Sequence, residues 1–257
     1  MTRTWLIVAA IFLLAISAAA QDPTPAPADA TPPEPVVVKV LATPIELISP
    51  IDKGPVSGWR IDAFTTAGVD TDFCYLGASK SYYEKLIATD PRTGYTGYPG
   101  DFYPNLEKPL APEVVKNIGK ILPKEYNLGK LEPWDRYEIL AKIYTWRGMP
   151  DKDIANAYLR ATYTMRGLSL GENERKRVQK MRKLAIRHFK IAMDKADFKL
   201  SESPQLKYLI GDLYRRNGQF RKALRYYNDA AKMRNRPEWL EEMIIRQSAR
   251  AHAYDDR

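Results

Sequence analysis

Apolar positions in the second half of the chain recur with the period of a packed helix. Between Pro204 and Pro237, Ile210, Gly211 and Tyr214 share one side of a helix that Gly218 ends, and Ala223, Tyr227 and Ala230 mark the face of a second. Small residues at those places let two helices cross closely, with tyrosine rings filling the holes between them. The pattern returns earlier. Tyr137, Leu140, Ala141 and Tyr144 lie on one face of a helix predicted over Trp134 to Arg147, Gly148-Met149-Pro150-Asp151 breaks it and caps the next, and Ile154, Tyr158 and Ala161 hold the places of Ala223, Tyr227 and Ala230. Glu172 to Ala196 reads as a single long helix whose second part repeats the signature as Ala185, Phe189 and Ala192. Its first part, Glu174 to Lys183, is too charged for a packed inner helix. A last helix is predicted over Glu238 to Ala253, with Trp239, Met243 and Ile244 covering the end of the core. A short one covers Leu110 to Leu122, starting near Pro112-Glu113 where a proline and an acid suit the first turn.

Before Pro104 the period shortens. Val36 to Leu41 is β-branched and bracketed by prolines, Trp59 to Phe64 alternates, and Asp70 to Leu76 reads as another strand, with a short helix over Ser79 to Ile87. Two turns share the form x-Pro-x-Ser/Thr-Gly-aromatic: Gly54-Pro55-Val56-Ser57-Gly58-Trp59 and Asp90-Pro91-Arg92-Thr93-Gly94-Tyr95. Turn chemistry alone would choose such residues. They also trace a zinc knuckle, Cys-Pro-x-Cys-Gly-aromatic, without its sulfurs. The ligand positions would be Gly54, Ser57, Asp90 and Thr93, and one carboxylate with two hydroxyls and a glycine cannot hold zinc, so neither metal nor cofactor is expected. The predicted class is α+β, mainly α. A small β-rich module occupies residues 36–104, a connecting helix and loop 105–133, and helical hairpins 134–257.

Composition adds a compartment and a charge. Arg3 precedes an apolar run from Trp5 to Ile16, and Ser17-Ala18-Ala19-Ala20-Gln21 offers the small residues a signal peptidase reads. The run to Ala20 is shorter than the roughly 20 residues of a spanning helix. An exported chain cleaved after Ala20, periplasmic or extracellular, is expected, followed by a proline-rich tether over residues 21–35. The single cysteine, Cys74, can close no internal disulfide, so stability must come from packing. Of the net charge of +9, residues 1–133 hold 12 Lys and Arg against 15 Asp and Glu, a net −3; residues 134–257 hold 28 against 16, a net +12. The basic half favours anionic partners, and the leader argues against nucleic acid.

No serine elbow, phosphate loop, His-Glu-x-x-His or paired acid set is present, and His188 and His252 have no evident catalytic partner. A non-catalytic protein is expected. The hairpin spacing resembles the tetratricopeptide repeat, whose first helices line a groove. By that resemblance Glu138, Lys142, Trp146, Tyr208, Asp212, Arg215 and Arg216 face the groove and bind an envelope protein or an acidic or amphipathic peptide. The asparagine and lysine set that clamps a terminal carboxylate is absent. The alternative is a basic surface for anionic envelope polymer or lipid headgroups on the helix 174–190, with Arg175, Lys176, Arg177, Lys180, Arg182 and Lys183. Asp70-Thr71-Asp72-Phe73-Cys74, then Ile87 to Tyr98 and Asp101-Phe102, with Tyr137 to Ala141, Ala157 to Ala161 and Tyr208 to Arg216, resemble domain-of-unknown-function family 2225. Its bacterial members carry Cys-Pro-x-Cys pairs at the two turns and helical repeats after them; the resemblance implies that fold and no activity.

Overall fold

Strand β1 (Val40–Ile48) pairs antiparallel with β2 (Pro55–Phe64), from Val40 opposite Phe64 to Ile48 opposite Pro55, with a register shift between Leu41 and Ala42. The computed structural model describes residues 39–77, 79–106 and 108–255; the expected leader, the tether and the start of the predicted strand at Val36 lie outside them. The hairpin turns over Ser49 to Gly54, where the Ser49 N–H donates to the Gly54 carbonyl at 2.9 Å and Lys53 takes the left-handed φ of 61°. Thus Gly54 ends this turn, and Pro55 to Trp59 is not a turn, as its motif predicts, but the first half of β2. Proline is tolerated at a strand's first residue, where its missing N–H breaks no ladder.

Asp90 to Tyr95 does turn. It joins β3 (Ala88–Thr89) to β4 (Thr96–Gly97), closed by the Asp90 N–H on the Tyr95 carbonyl at 2.8 Å, with Gly94 at φ 77° where only glycine avoids a Cβ clash. Leu47, Val56, Ala88, Tyr95 and Phe102 then pack on Val114, Ile118 and Leu122 of α2 (Pro112–Glu125) and on Ile139 and Ile143 of α3 (Pro133–Trp146). One apolar cluster therefore crosses the boundaries that composition suggests near residues 104 and 133.

The helices follow their predicted spans closely. Pro133 starts α3, with the Glu132 N–H held by Asp135 at 2.9 Å, and Gly148, at φ 66°, turns the chain into α4 (Asp151–Thr164). Then come α5 (Glu172–Asp194), α6 (Ser203–Arg215), α7 (Phe220–Ala231) and α8 (Glu238–His252). Helix α3 packs on α4, α4 on α5, α6 on α7 and α7 on α8. A Cβ at Gly211 would stand 2.7 Å from the Tyr227 ring and 3.3 Å from the Ala223 carbonyl oxygen, so this crossing requires glycine. In α8 the buried stripe is Leu240, Ile244, Gln247 and Ala251, while Trp239 stays 41% exposed beside Phe73. The end of the core is covered one helical position away from Trp239. The fold is α+β and mainly α: eight helices among the described residues, counting α1 (Ser79–Lys85), with only two-stranded sheets.

Candidate functional site

The predicted strand over Asp70 to Leu76 is a loop, and it is driven into the helices. Its residues make only a single β-bridge, Val69 to Tyr75; Asp70 N–H donates to the Cys74 carbonyl at 2.8 Å and Phe73 takes φ 66°. Arg166, just past α4, donates to Asp70 Oδ2 at 2.6 Å and to both carboxylate oxygens of Asp72. Arg216, at the end of α6, reaches Asp70 Oδ1 at 3.0 Å, Asp212 Oδ2 at 2.8 Å and the Thr71 hydroxyl at 2.8 Å; that hydroxyl donates to Asp212 at 3.0 Å. The Tyr163 hydroxyl donates to the Asp72 carbonyl, and the Phe73 ring lies 5.8 Å from that of Tyr208.

Asp72 has no solvent exposure. Burial pushes its pKa up, but the Arg216 and Arg166 guanidiniums outweigh that and hold it below the ordinary 3.8. Asp212, equally buried, takes two bonds from Arg215, at 3.0 and 2.9 Å, and one from the Tyr227 hydroxyl at 3.2 Å. Arg182 completes the cluster by donating to the Arg216 carbonyl at 2.8 Å; burial, then the neighbouring Arg216, lowers its pKa to about 10.

The groove set is thus engaged within the protein, four of its seven residues buried and the other three half-buried. Tyr208, Asp212 and Arg215 are fully buried, and Arg216 faces the loop. Glu138 is buried under Arg177 (2.5 Å) and Lys180 (3.7 Å), Lys142 pairs with Glu125 at 2.8 Å, and Trp146 packs on the β-module cluster. These seven residues do not form an open docking surface. At the α6 positions the physical reason is that the chain supplies the acid and the ring itself, through Asp70, Asp72 and Phe73; at Glu138, Lys142 and Trp146, α5, α2 and the β-module fill the place. Sequence reading missed those three; the available clue was an acid pair beside an aromatic in the acidic half, opposite a half with net +12.

The basic helix divides by its inner and outer sides. Arg177 turns inward to Asp135 and Glu138, both at 2.5 Å, and Arg182 to the α6 end, so neither is an open surface cation. Lys176, Lys180, Lys183, Arg187 and Lys190 are exposed, as is Arg175 beside them. The 4-3-4-3 spacing aligns those five on one side of α5 for about 21 Å at 1.5 Å per residue. No acidic residue lies between Glu174 and Asp194. Lys176 pairs with Glu172 at 2.6 Å and Lys180 reaches Glu138, whereas Lys183, Arg187 and Lys190 have no carboxylate partner among the described residues. The sequence set omitted Arg187 and Lys190, although the same period picks them out.

Elsewhere two of the reactive side chains are engaged. His188 Nδ1 lies 2.7 Å from Asp151 Oδ1 and its ring stacks on Tyr158 at 5.9 Å, while Cys74 is buried and burial pushes its thiol up to about 12. His252 is exposed near the end of α8.

At the knuckle-like segments, Arg92 donates to Asp52 at 2.7 Å, to Asp90 at 3.2 Å and to the Pro55 carbonyl at 2.9 Å. A side chain at Gly54 would run into its guanidinium, 2.5 Å from the Cβ position, and Asp90 is further engaged by the Thr93 hydroxyl at 3.0 Å. The four positions bring no donor set that fits zinc, and a guanidinium ties the two segments instead. Among the described residues, no three His, Cys, Asp or Glu side chains are placed to hold a metal.

Fold and site together define a mainly helical α+β protein whose β-rich module is clamped to helical hairpins by buried ion pairs. Residues 61–253 match the model of domain-of-unknown-function family 2225, described as an uncharacterized protein conserved in bacteria, and the chain belongs to that family. No curated protein and no solved structure matches it.

Proposed function

We propose that this is an exported, non-catalytic binding protein that holds an anionic polymer of the cell envelope against the outer side of α5. The observation that carries this reading is the exposed row Lys176, Lys180, Lys183, Arg187 and Lys190, three of them without a carboxylate partner among the described residues. Maintaining like charges side by side on one helix costs stability, and a bound polyanion relieves it. None of the exposed large apolar side chains lies on α5, which favours a solvated polymer over a membrane into which side chains must insert. The buried thiol, its pKa raised by burial, supports a binding role rather than a catalytic one.

Docking of an envelope protein or peptide in a tetratricopeptide-like groove is the second reading, favoured by one observation: that region already accepts an Asp-Thr-Asp-Phe segment. It ranks lower because the segment would have to leave, stranding Arg166 and Arg216. The leading reading is tested by titrating the purified protein with poly(glycerol phosphate). Affinity should fall on the order of 10- to 100-fold between about 50 and 200 mM salt, by release of counterions. Lys183→Glu with Arg187→Glu and Lys190→Glu should abolish binding without changing the thermal melt. Salt-insensitive binding, or binding kept by the triple variant, rejects the α5 surface; binding of phosphatidylglycerol vesicles but not of the polymer rejects the polymer.

A further inference from the structure

A second site emerges away from α5. An open cleft of about 440 Å³ lies between β2, β3, α1 and the start of α3, with Trp59, Leu128 and Leu131 among its apolar walls and Ser57, Thr89 and Arg136 among its polar ones. We propose that it binds a small monocarboxylate carried on an apolar or aromatic body, with the Arg136 guanidinium pairing the carboxylate. This goes beyond the polymer reading and does not depend on it.

Arg136 is the reason. Its Nε donates to the Thr89 hydroxyl at 2.9 Å and its Nη2 to the Ile87 carbonyl, which fixes the plane of the guanidinium at the cleft wall. The Nη1 donors have no acceptor among the described residues, and no carboxylate comes within ion-pair distance. Other largely enclosed arginines do find acids: Arg147 meets Asp101, Arg166 meets Asp70 and Asp72, and Arg215 and Arg216 meet Asp212. Arg160 and Arg182 bond instead to the Tyr98 hydroxyl and the Arg216 carbonyl, and neither lines the cleft. Burial lowers the Arg136 pKa, a desolvation cost that an incoming anion would offset.

The second cation of the cleft, Arg92, is already neutralised by Asp52 and Asp90. Glu84 also lines the cleft and repels a second negative charge. One available guanidinium, two hydroxyls and a nearby acid suit a carboxylate better than a phosphate dianion. The apolar walls, with the Trp59 ring fixed under the Lys85 ammonium at 4.6 Å, suit a hydrocarbon or aryl body.

Calorimetric titration of the full chain with indole-3-acetate, indole-3-acetamide and phenyl phosphate tests the assignment. Saturable one-to-one binding of the carboxylate is expected, with the neutral amide weaker by about tenfold or more, as loss of a charge-assisted bond implies. Arg136→Gln should lose binding to a similar degree. Because Arg136 also supports Ile87, the independent variant is Ser57→Asp, at an exposed position of β2, which adds a repelling charge and should weaken the carboxylate about tenfold with the fold intact. No saturable binding, equal binding of the amide, tighter binding of the phosphate, or full affinity in folded Ser57→Asp would each overturn the proposal.

Discussion

Replacing Asp72 by asparagine is expected to lower stability by about 3–5 kcal/mol, the cost of removing one partner from a buried ion pair while the other stays. The shape is preserved, so the loss reports charge: Arg166 and Arg216 would keep their enclosed positions with only Asp70 and Asp212 to balance them. Urea denaturation measures it. Asp62→Asn is the control, since Asp62 meets Thr43 and Arg60 on the outer side of the hairpin and should be nearly neutral. A loss under about 1 kcal/mol for Asp72→Asn would mean that the loop is not clamped by its charge.

The same carboxylate sets an acid limit. Its folded pKa lies below 3.8, so between the two values the unfolded chain binds more protons than the folded one. The contribution is complete above pH about 4 and is lost as pH falls through the folded value. Asp72→Asn should therefore reduce the slope of stability against pH below about 4, leaving the part due to Asp151, whose pKa is also lowered.

Tyr208→Ala combined with Arg215→Glu, which an open groove would tolerate, is expected to unfold the protein. The Tyr208 ring is fully buried, 5.6 Å from Tyr227 and 5.8 Å from Phe73, and deleting a core aromatic costs about 3–5 kcal/mol. Arg215→Glu sets a carboxylate beside buried Asp212 and removes its partner, a loss of similar size. Together they approach the whole stability of a typical domain, about 5–15 kcal/mol. Tyr208→Phe separates ring from hydroxyl: that oxygen is buried without a hydrogen-bond partner, so the variant should be as stable as the parent or more so. A native-like melt for the double variant would show that α6 does not pack as described.

The helices were legible because their packing is local in sequence. Gly211, Ala223, Tyr227 and Ala230 recur at helical spacing and meet within one hairpin, so periodicity alone placed α6 and α7. The loop was not legible, because Asp70 and Asp72 alternate with small and aromatic residues as a strand would, while Arg166 and Arg216, far along the chain, take up their carboxylates. Position in a repeat indicates which side chains face a groove; it does not reveal that another part of the same chain fills it. The first knuckle failed for a different reason: Pro55 suits both a turn and a strand's first residue, and burial of Val56 with Leu47 selected the strand. On α5 the outer and inner sides were written in the sequence, since Val178, Met181, Ala185, Phe189 and Ala192 fix the buried stripe. Composition overrode that phase and admitted Arg177 and Arg182 to the surface set.

Which surface meets the partner can be read from lysine reactivity. Acetylation of the folded protein, with and without saturating poly(glycerol phosphate), followed by mass spectrometry of each lysine, reports the footprint directly. Strong protection of Lys180, Lys183 and Lys190, with Lys116 on α2 and Lys232 beyond α7 unchanged, is the predicted result. Equal reactivity of the α5 lysines in the two states, despite demonstrated binding, would contradict it.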